Sequence, residues 1–457
     1  MKNPSKLSRR TFLTASAAGS VLTMDARSYG RVFGAAERLN VAYIGVGGIA
    51  GGQHIPQLQK LGAGCPAYAD ADSKRWGPAA DRWSDAKGYT DYREMFDKHH
   101  KEFDAVMVGT PDHQHYPATV LAMSMGKHAY TQKPLTHTPW ESRQLSIAQE
   151  KTKLATQMGN QGHATDGLRG TIDYIRSGAI GDLVEGHVWT NRPIWRQGMP
   201  VPKEAQKVPS NLDWEAWVGP AKMRPFRHDP ADGWGGFYHP FNWRGFWDFG
   251  CGALGDMACH NLDPIYWALE PGYPTEIELM DGEAFGDAPM YVKNTTVRFR
   301  FPAKGDRPAF DLYWHDGGNK PERPEELPKG EKLPDQGGLY IGTKGKLYAA
   351  GDSRNFPRLL PEAKHKEYGR PEQQIERSAE GHHKEWYLAC TGEKPYDFPK
   401  CNFSYAAPFT EMVLLGCIAQ RVGGKMEYDP KTMTFSDRDD ATALITKEYR
   451  EGWDFSL

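Results

Sequence analysis

Gly45, Gly47 and Ala50, within the stretch VAYIGVGGIAGG, are spaced G-x-G-x-x-A. This pattern can wrap a pyrophosphate: Gly45 permits the tight turn, Gly47 lets the backbone approach the phosphates, and Ala50 allows close packing of helix on strand. Gly48 and Ile49 complete the turn, and the helix that follows points its positive end at the anion. Asp70 ends the next apolar stretch, GCPAYADAD, where a carboxylate holds the two ribose hydroxyls and repels a 2′-phosphate. That favours NAD as cofactor, while Lys74 and Arg75 leave NADP possible. Asp72 reads as a helix N-cap rather than a ligand.

The elements that must position these residues follow an alternating pattern. Leu39–Ile44 and FDAVMVGTP are short buried strands, KHAYTQKP is another, and LATQMGN closes a six-strand pattern near residue 160, with helices such as HYPATVLAMS and PWESRQLSIAQEKT between them. Such alternation predicts a doubly wound parallel sheet whose ligands sit at the carboxyl ends of the strands. Gly45, Asp70, Thr110-Pro111 and Gln132-Lys133 all fall at such ends. Beyond residue 160, TEIELMDGEAF, NTTVRFRFP, AFDLYWHDGG and LYIGTKGKLYAAG alternate with period two, predicting a mostly antiparallel open sheet with one buried face. The fold class is therefore α/β: a Rossmann dinucleotide-binding domain over 37–160 and an α+β substrate domain over 161–457.

Residues 1–36 stand apart. Ser8-Arg9-Arg10-Thr11-Phe12-Leu13 fits the twin-arginine pattern S-R-R-x-F-L and precedes a short, mildly apolar run, which predicts export to the periplasm by the twin-arginine machinery. A formal charge of -2 over 457 residues gives no global field for nucleic acid or anionic membrane. No apolar run approaches the roughly 20 residues of a bilayer span, so no membrane insertion is expected after signal removal. The six cysteines contain no CxxC, which argues against a zinc or redox framework.

On the Gly45–Ala50 turn, Thr110-Pro111-Asp112-His113-Gln114-His115, Gln132-Lys133-Pro134 and GCGALGDMACHNLD, the chain resembles the Gfo/Idh/MocA oxidoreductases, the group containing glucose–fructose oxidoreductase and inositol dehydrogenase. The resemblance covers nearly all of the chain after the signal. It implies that Lys133 lies beside the nicotinamide, that His115 lines the nicotinamide ribose, and that Asp256 and His260 form the family's Asp-x-x-x-His pair. The usual E-K-P triplet is Q-K-P here, with Gln132 the departure. The chemistry fits oxidation of a carbinol, which needs a base for the hydroxyl proton while hydride leaves carbon. Histidine, with an ordinary pKa near 6.5, can be that base near neutrality. Asp256, one helical turn from His260, can orient the imidazole or bind a substrate hydroxyl, and Lys133 can donate to the reacting oxygen. An isolated Asp–His pair is as often a surface contact or half of a metal site; no third ligand accompanies this one, and no metal is expected. His163, after the last strand of the first sheet, is assigned to the substrate site.

A tryptophan-rich stretch between residues 193 and 248 gathers aromatic rings near Arg192, Trp243 and Arg244. Aromatic faces and forked guanidinium donors suit a carbohydrate, with its apolar C–H faces and paired hydroxyls. Three function classes follow: a sugar or polyol dehydrogenase; a redox-neutral glycoside hydrolase or lyase that oxidises C3 transiently, as some relatives do; and a non-catalytic sugar-binding protein. Outside the cytoplasm free NAD is scarce, so an exported enzyme is expected to hold its cofactor tightly. A homo-oligomer is expected, as in relatives.

Overall fold

The computed structural model describes residues 38–201, 204–228, 236–352 and 354–456; the twin-arginine segment lies outside them. Six strands form the first sheet: β1 (Val41–Ile44), β2 (Ala67–Ala69), β3 (Lys87–Tyr89), β4 (Ala105–Val108), β5 (His128–Gln132) and β6 (Thr156–Gly159). They are all parallel, in the order β3-β2-β1-β4-β5-β6. β1 and β4 are apolar and buried at every position, as a parallel strand covered on both faces must be. β3 is short and half-exposed, and no apolar run marks it in the sequence. After β1 the chain makes a π-helical turn at Ala50–His54 and then helix α1 (Ile55–Lys60); paired glycines at 51 and 52, poor helix formers, sit in the irregular part. Helices α2 (Tyr92–His99), α3 (His115–Ser124) and α4 (Pro139–Thr152) complete the crossovers. α4 starts on a capping box between Thr138 and Glu141, which satisfies two otherwise orphaned amides.

The second sheet has nine strands: β7 (Leu183–Trp189), β8 (Glu276–Asp281), β9 (Thr296–Phe301), β10 (Phe310–His315), β11 (Gly337–Gly342), β12 (Gly345–Ala350), β13 (Arg358–Leu360), β14 (Lys425–Asp429) and β15 (Thr434–Phe435). Their order is β13-β12-β11-β7-β10-β9-β8-β14-β15. Every pairing is antiparallel except β7 with β10, which run parallel. On β9, Val297, Phe299 and Phe301 face the core while Arg300 faces solvent, the alternation of a sheet with one covered face. That cover comes from α5 (Asp166–Arg176), α6 (Gly252–Asn261), α7 (Asp263–Leu269) and the long α9 (Phe403–Val422).

The two domains share their cores. One apolar cluster runs from Ile44, Val106 and Leu145 through Leu254 and Phe299 to Met412. Trp386 and Cys390 of α8 (His382–Cys390) share a second apolar cluster with Val41 and Tyr43 of the first sheet, and the Trp386 ring meets Tyr130 of β5 edge-on. All six cysteines are buried free thiols. Among the described residues no helix is long and apolar enough to cross a membrane.

Candidate active site

A cleft of about 1020 Å³ opens along the carboxyl edge of the first sheet and is closed on its far side by the tryptophan-rich segment. Its first half is the glycine turn. Gly45 has φ +78°, and a Cβ there would sit 2.8 Å from the Gly109 carbonyl and the Thr110 amide, so only glycine fits. Gly47, Gly48, Ile49, Thr110, Pro111 and Gln132 line the wall. Ala50 does not; its methyl packs against Gly109, setting the helix–strand distance. The Asp70 carboxylate accepts from the Val46 and Asp72 amides, both at 3.0 Å, and burial raises its pKa. The Arg75 side chain lies over Gly47. A cradle without side chains beneath an aimed carboxylate and a guanidinium fits a dinucleotide.

Of the residues expected to touch the cofactor, His115 acts differently. His115 is buried, with its ring nitrogens 2.7 Å from the Pro134 carbonyl oxygen and 3.0 Å from that of Thr110. It ties two strand-end loops together and does not line the cleft, because the helix it begins carries it beneath them. Burial lowers its pKa to about 4. Gln132 does line the cleft, and its Oε1 lies 3.3 Å from His54 Nε2. Burial, then the neighbouring His383, lowers His54 to about 3, so a carboxylate at 132 would face no cation there. Glutamine satisfies the same geometry without charge.

Lys133, at the end of β5, crosses to the second domain. Its Nζ donates to Asp256 Oδ1 at 2.7 Å and to the Asp256 carbonyl at 2.8 Å. Arg244 Nε donates to the same Oδ1 at 3.2 Å. Burial would raise the Asp256 carboxyl, but the Lys133 and Arg244 cations outweigh it and hold it well below the usual carboxylate range. His260 lies one turn further along α6. Asp256 and Met257 line the cleft, whereas His260, half-exposed, is not among its lining residues. Its Nδ1 is 2.7 Å from Asn160 Oδ1. Burial and then Lys133 lower its pKa to about 4, which keeps the ring neutral near pH 7.

His163 is corrected. It is fully buried, 2.9 Å from Asp263 Oδ2, with its ring stacked on Trp267 at 3.7 Å between centroids, and it lies outside the cleft. Arg192, Trp243 and Arg244 do line it; the Arg244 guanidinium lies 4.2 Å over the Trp243 ring and 4.4 Å over Phe241. Trp243 also belongs to a local aromatic core in which Trp214 and Trp217 stack at 4.8 Å; Trp217 reaches the cleft wall as well, and Trp214 does not. His239 Nε2 lies 2.9 Å from Asp72 Oδ2, so Asp72 both caps and ties the aromatic segment to the first domain. Burial would raise Asp72, but hydrogen bonds from His239, Asn211 and the Lys74 amide bring it to about 2.

Sequence reasoning left two site residues without roles. Asp112 lines the cleft, accepts from the Cys251 amide at 3.1 Å and is raised by burial to about 7; its place in the TPDHQH stretch was the available signal. Asn160 gave none, since its partners lie a hundred residues away. Among the described residues no three His, Cys, Asp or Glu side chains group as a metal site.

Residues 39–160 match the oxidoreductase family's NAD-binding Rossmann fold and residues 180–300 its C-terminal alpha/beta domain, both carrying the Gfo/Idh/MocA designation. The chain is similar to levoglucosan dehydrogenase of Pseudarthrobacter phenanthrenivorans, 26% identical over 237 residues, half of each chain. It is also similar to alpha-N-acetylgalactosaminidase of Shewanella oneidensis, 29% identical over 165 residues, covering 33% of this chain and 34% of that protein. The match thus spans half the length of the first relative and a third of the second. In fold it resembles the WlbA dehydrogenase of Chromobacterium violaceum, solved with NADH and UDP-GlcNAcA: TM-score 0.58, 16% identity, 86% of this chain and 96% of that one.

Proposed function

The chain belongs to the Gfo/Idh/MocA oxidoreductase family and its Rossmann domain binds NAD; on that premise we propose that it oxidises a ring hydroxyl of a sugar, polyol or glycoside. Bound NAD supplies the hydride acceptor. The Lys133 ammonium has three donors; two are spent on Asp256, and the third is left for the reacting oxygen, whose developing negative charge it stabilises. Asp256, kept ionised, holds that ammonium in place. His260, neutral, takes the hydroxyl proton. Arg192, Arg244 and Trp243 grip the remaining hydroxyls and the apolar face of the ring. The observation that carries this reading is the Lys133–Asp256 pair: a cation at the end of a nucleotide-side strand locked to a carboxylate of the second domain, in the wall of one cleft.

Redox-neutral glycoside cleavage is a second reading, supported by the similarity to alpha-N-acetylgalactosaminidase. Export through the twin-arginine signal with the cofactor already bound, and self-association of the protein, belong to the same proposal. The test uses the purified full chain without added NAD. Denaturation and mass spectrometry should release NAD. Incubation with a panel of sugars and aryl glycosides should then yield either oxidised sugar or free aglycone. A protein that neither carries nor takes up NAD, and transforms nothing in the panel, removes the proposal.

A further inference from the structure

Behind His260 lies a chain of buried polar groups that no step above uses. Asn160 Nδ2 donates to the Cys259 carbonyl at 2.6 Å and to Asp263 Oδ2 at 2.9 Å. Asp263 is fully buried; the same Oδ2 accepts from His163 Nδ1 at 2.9 Å, and Oδ1 accepts from the Tyr405 hydroxyl at 2.5 Å. Stacking on Trp267 fixes the His163 ring in turn.

We propose that Asn160 is the positioning residue that holds His260 in the tautomer protonated on Nδ1 and open on Nε2, with Asp263 locking the Asn160 amide in the required orientation. This rests on the reading of His260 as the base. The argument is one of donor and acceptor counting. The Cys259 carbonyl and the Asp263 carboxylate only accept, so the end of the Asn160 amide facing them is the NH₂. The end facing His260 at 2.7 Å is then the carbonyl, which also only accepts. His260 Nδ1 must therefore carry the ring's proton, and in a neutral imidazole that leaves the lone pair on Nε2. Nε2 makes no hydrogen bond to a described residue. A carboxylate in place of Asn160 would stabilise the imidazolium and raise the ring's pKa; a neutral amide sets the tautomer without adding a charge. Asp263 supplies what an amide cannot supply for itself, a fixed choice of which end points where. His163, though outside the cleft, holds Asp263 and so acts at second remove.

The test is NMR of the full chain labelled with ¹³C,¹⁵N-histidine, followed across pH, together with kinetics. In the wild type His260 should appear as the Nδ1–H tautomer. In Asn160→Leu, which keeps the branching at Cγ and removes all three side-chain hydrogen bonds, the signal should relax to a tautomer mixture, and kcat should fall at least tenfold with KM changed less than twofold. A wild-type ring protonated on Nε2 overturns the proposal, as does a variant whose tautomer is unchanged. If Asn160→Leu fails to fold, the wild-type tautomer decides alone. Full turnover in His260→Ala alongside an Nδ1–H wild-type ring would instead remove the base assignment and leave the positioning intact.

Discussion

Lys133 and Asp256 depend on each other more than either depends on solvent. Both side chains are mostly shielded, and removing one partner of such a pair strands the other charge. Lys133→Ala should therefore lower kcat by about 100- to 1000-fold, the range seen when one oxyanion donor is deleted, while the NAD recovered after denaturation stays at the wild-type amount. Unchanged kcat in steady-state assays would remove Lys133 from the chemistry. Both partners were singled out from the sequence because each sits in a short motif. Asn160 was not, since its value comes from an amide orientation set by Asp263 and Cys259. His163 was misplaced for a related reason: a histidine just after a cofactor-side strand points to the cleft or beneath it according to where α7 packs.

At the level of elements, the β1 turn and the tryptophan-rich segment do different work. The turn is fixed by backbone contact, so Gly45→Ala must either push Gly109 away or abandon φ +78°. A strain of about 1–3 kcal/mol is expected, read as a lowered thermal midpoint with little NAD left on the purified protein. The aromatic segment is held to the first domain by the His239–Asp72 contact. His239→Ala should speed release of NAD in a trapping assay while leaving the second sheet, and hence the far-UV circular dichroism, as in the wild type. Equal release rates in both proteins would show that this contact does not hold the cleft closed. The segment's composition announced aromatic contact with something; only packing decided that, within one local core, Trp217 and Trp243 reach the cleft wall while Trp214 does not.

Across the whole molecule, buried histidines dominate the response to acid. His54, His113 and His315 are held at about 3, and His115, His128, His260 and His383 at about 4, burial being the largest cause for each. Unfolded, each would titrate near 6.5. Between about pH 6.5 and 4 the unfolded chain thus binds more protons than the folded one, so stability rises with pH across that window and is lost as pH falls through it. Asp112, at about 7, and Asp316, at about 6, work the other way, with Asp70 and Glu411 also raised, but they are fewer. The thermal midpoint should fall between pH 7 and pH 5, well above the range where ordinary carboxylates titrate; a flat midpoint over that interval contradicts the burial of these rings. The sequence by itself determined the parallel first sheet, the alternating second one and the cofactor turn, because periodicity and glycine spacing are local and backbone sterics read them directly. Tertiary structure alone decided which side chains share the cleft, that β7 and β10 run parallel, and how His260 is oriented. Those outcomes depend on contacts between residues a hundred or more positions apart, where donor–acceptor matching and burial, not local propensity, set the lowest free energy.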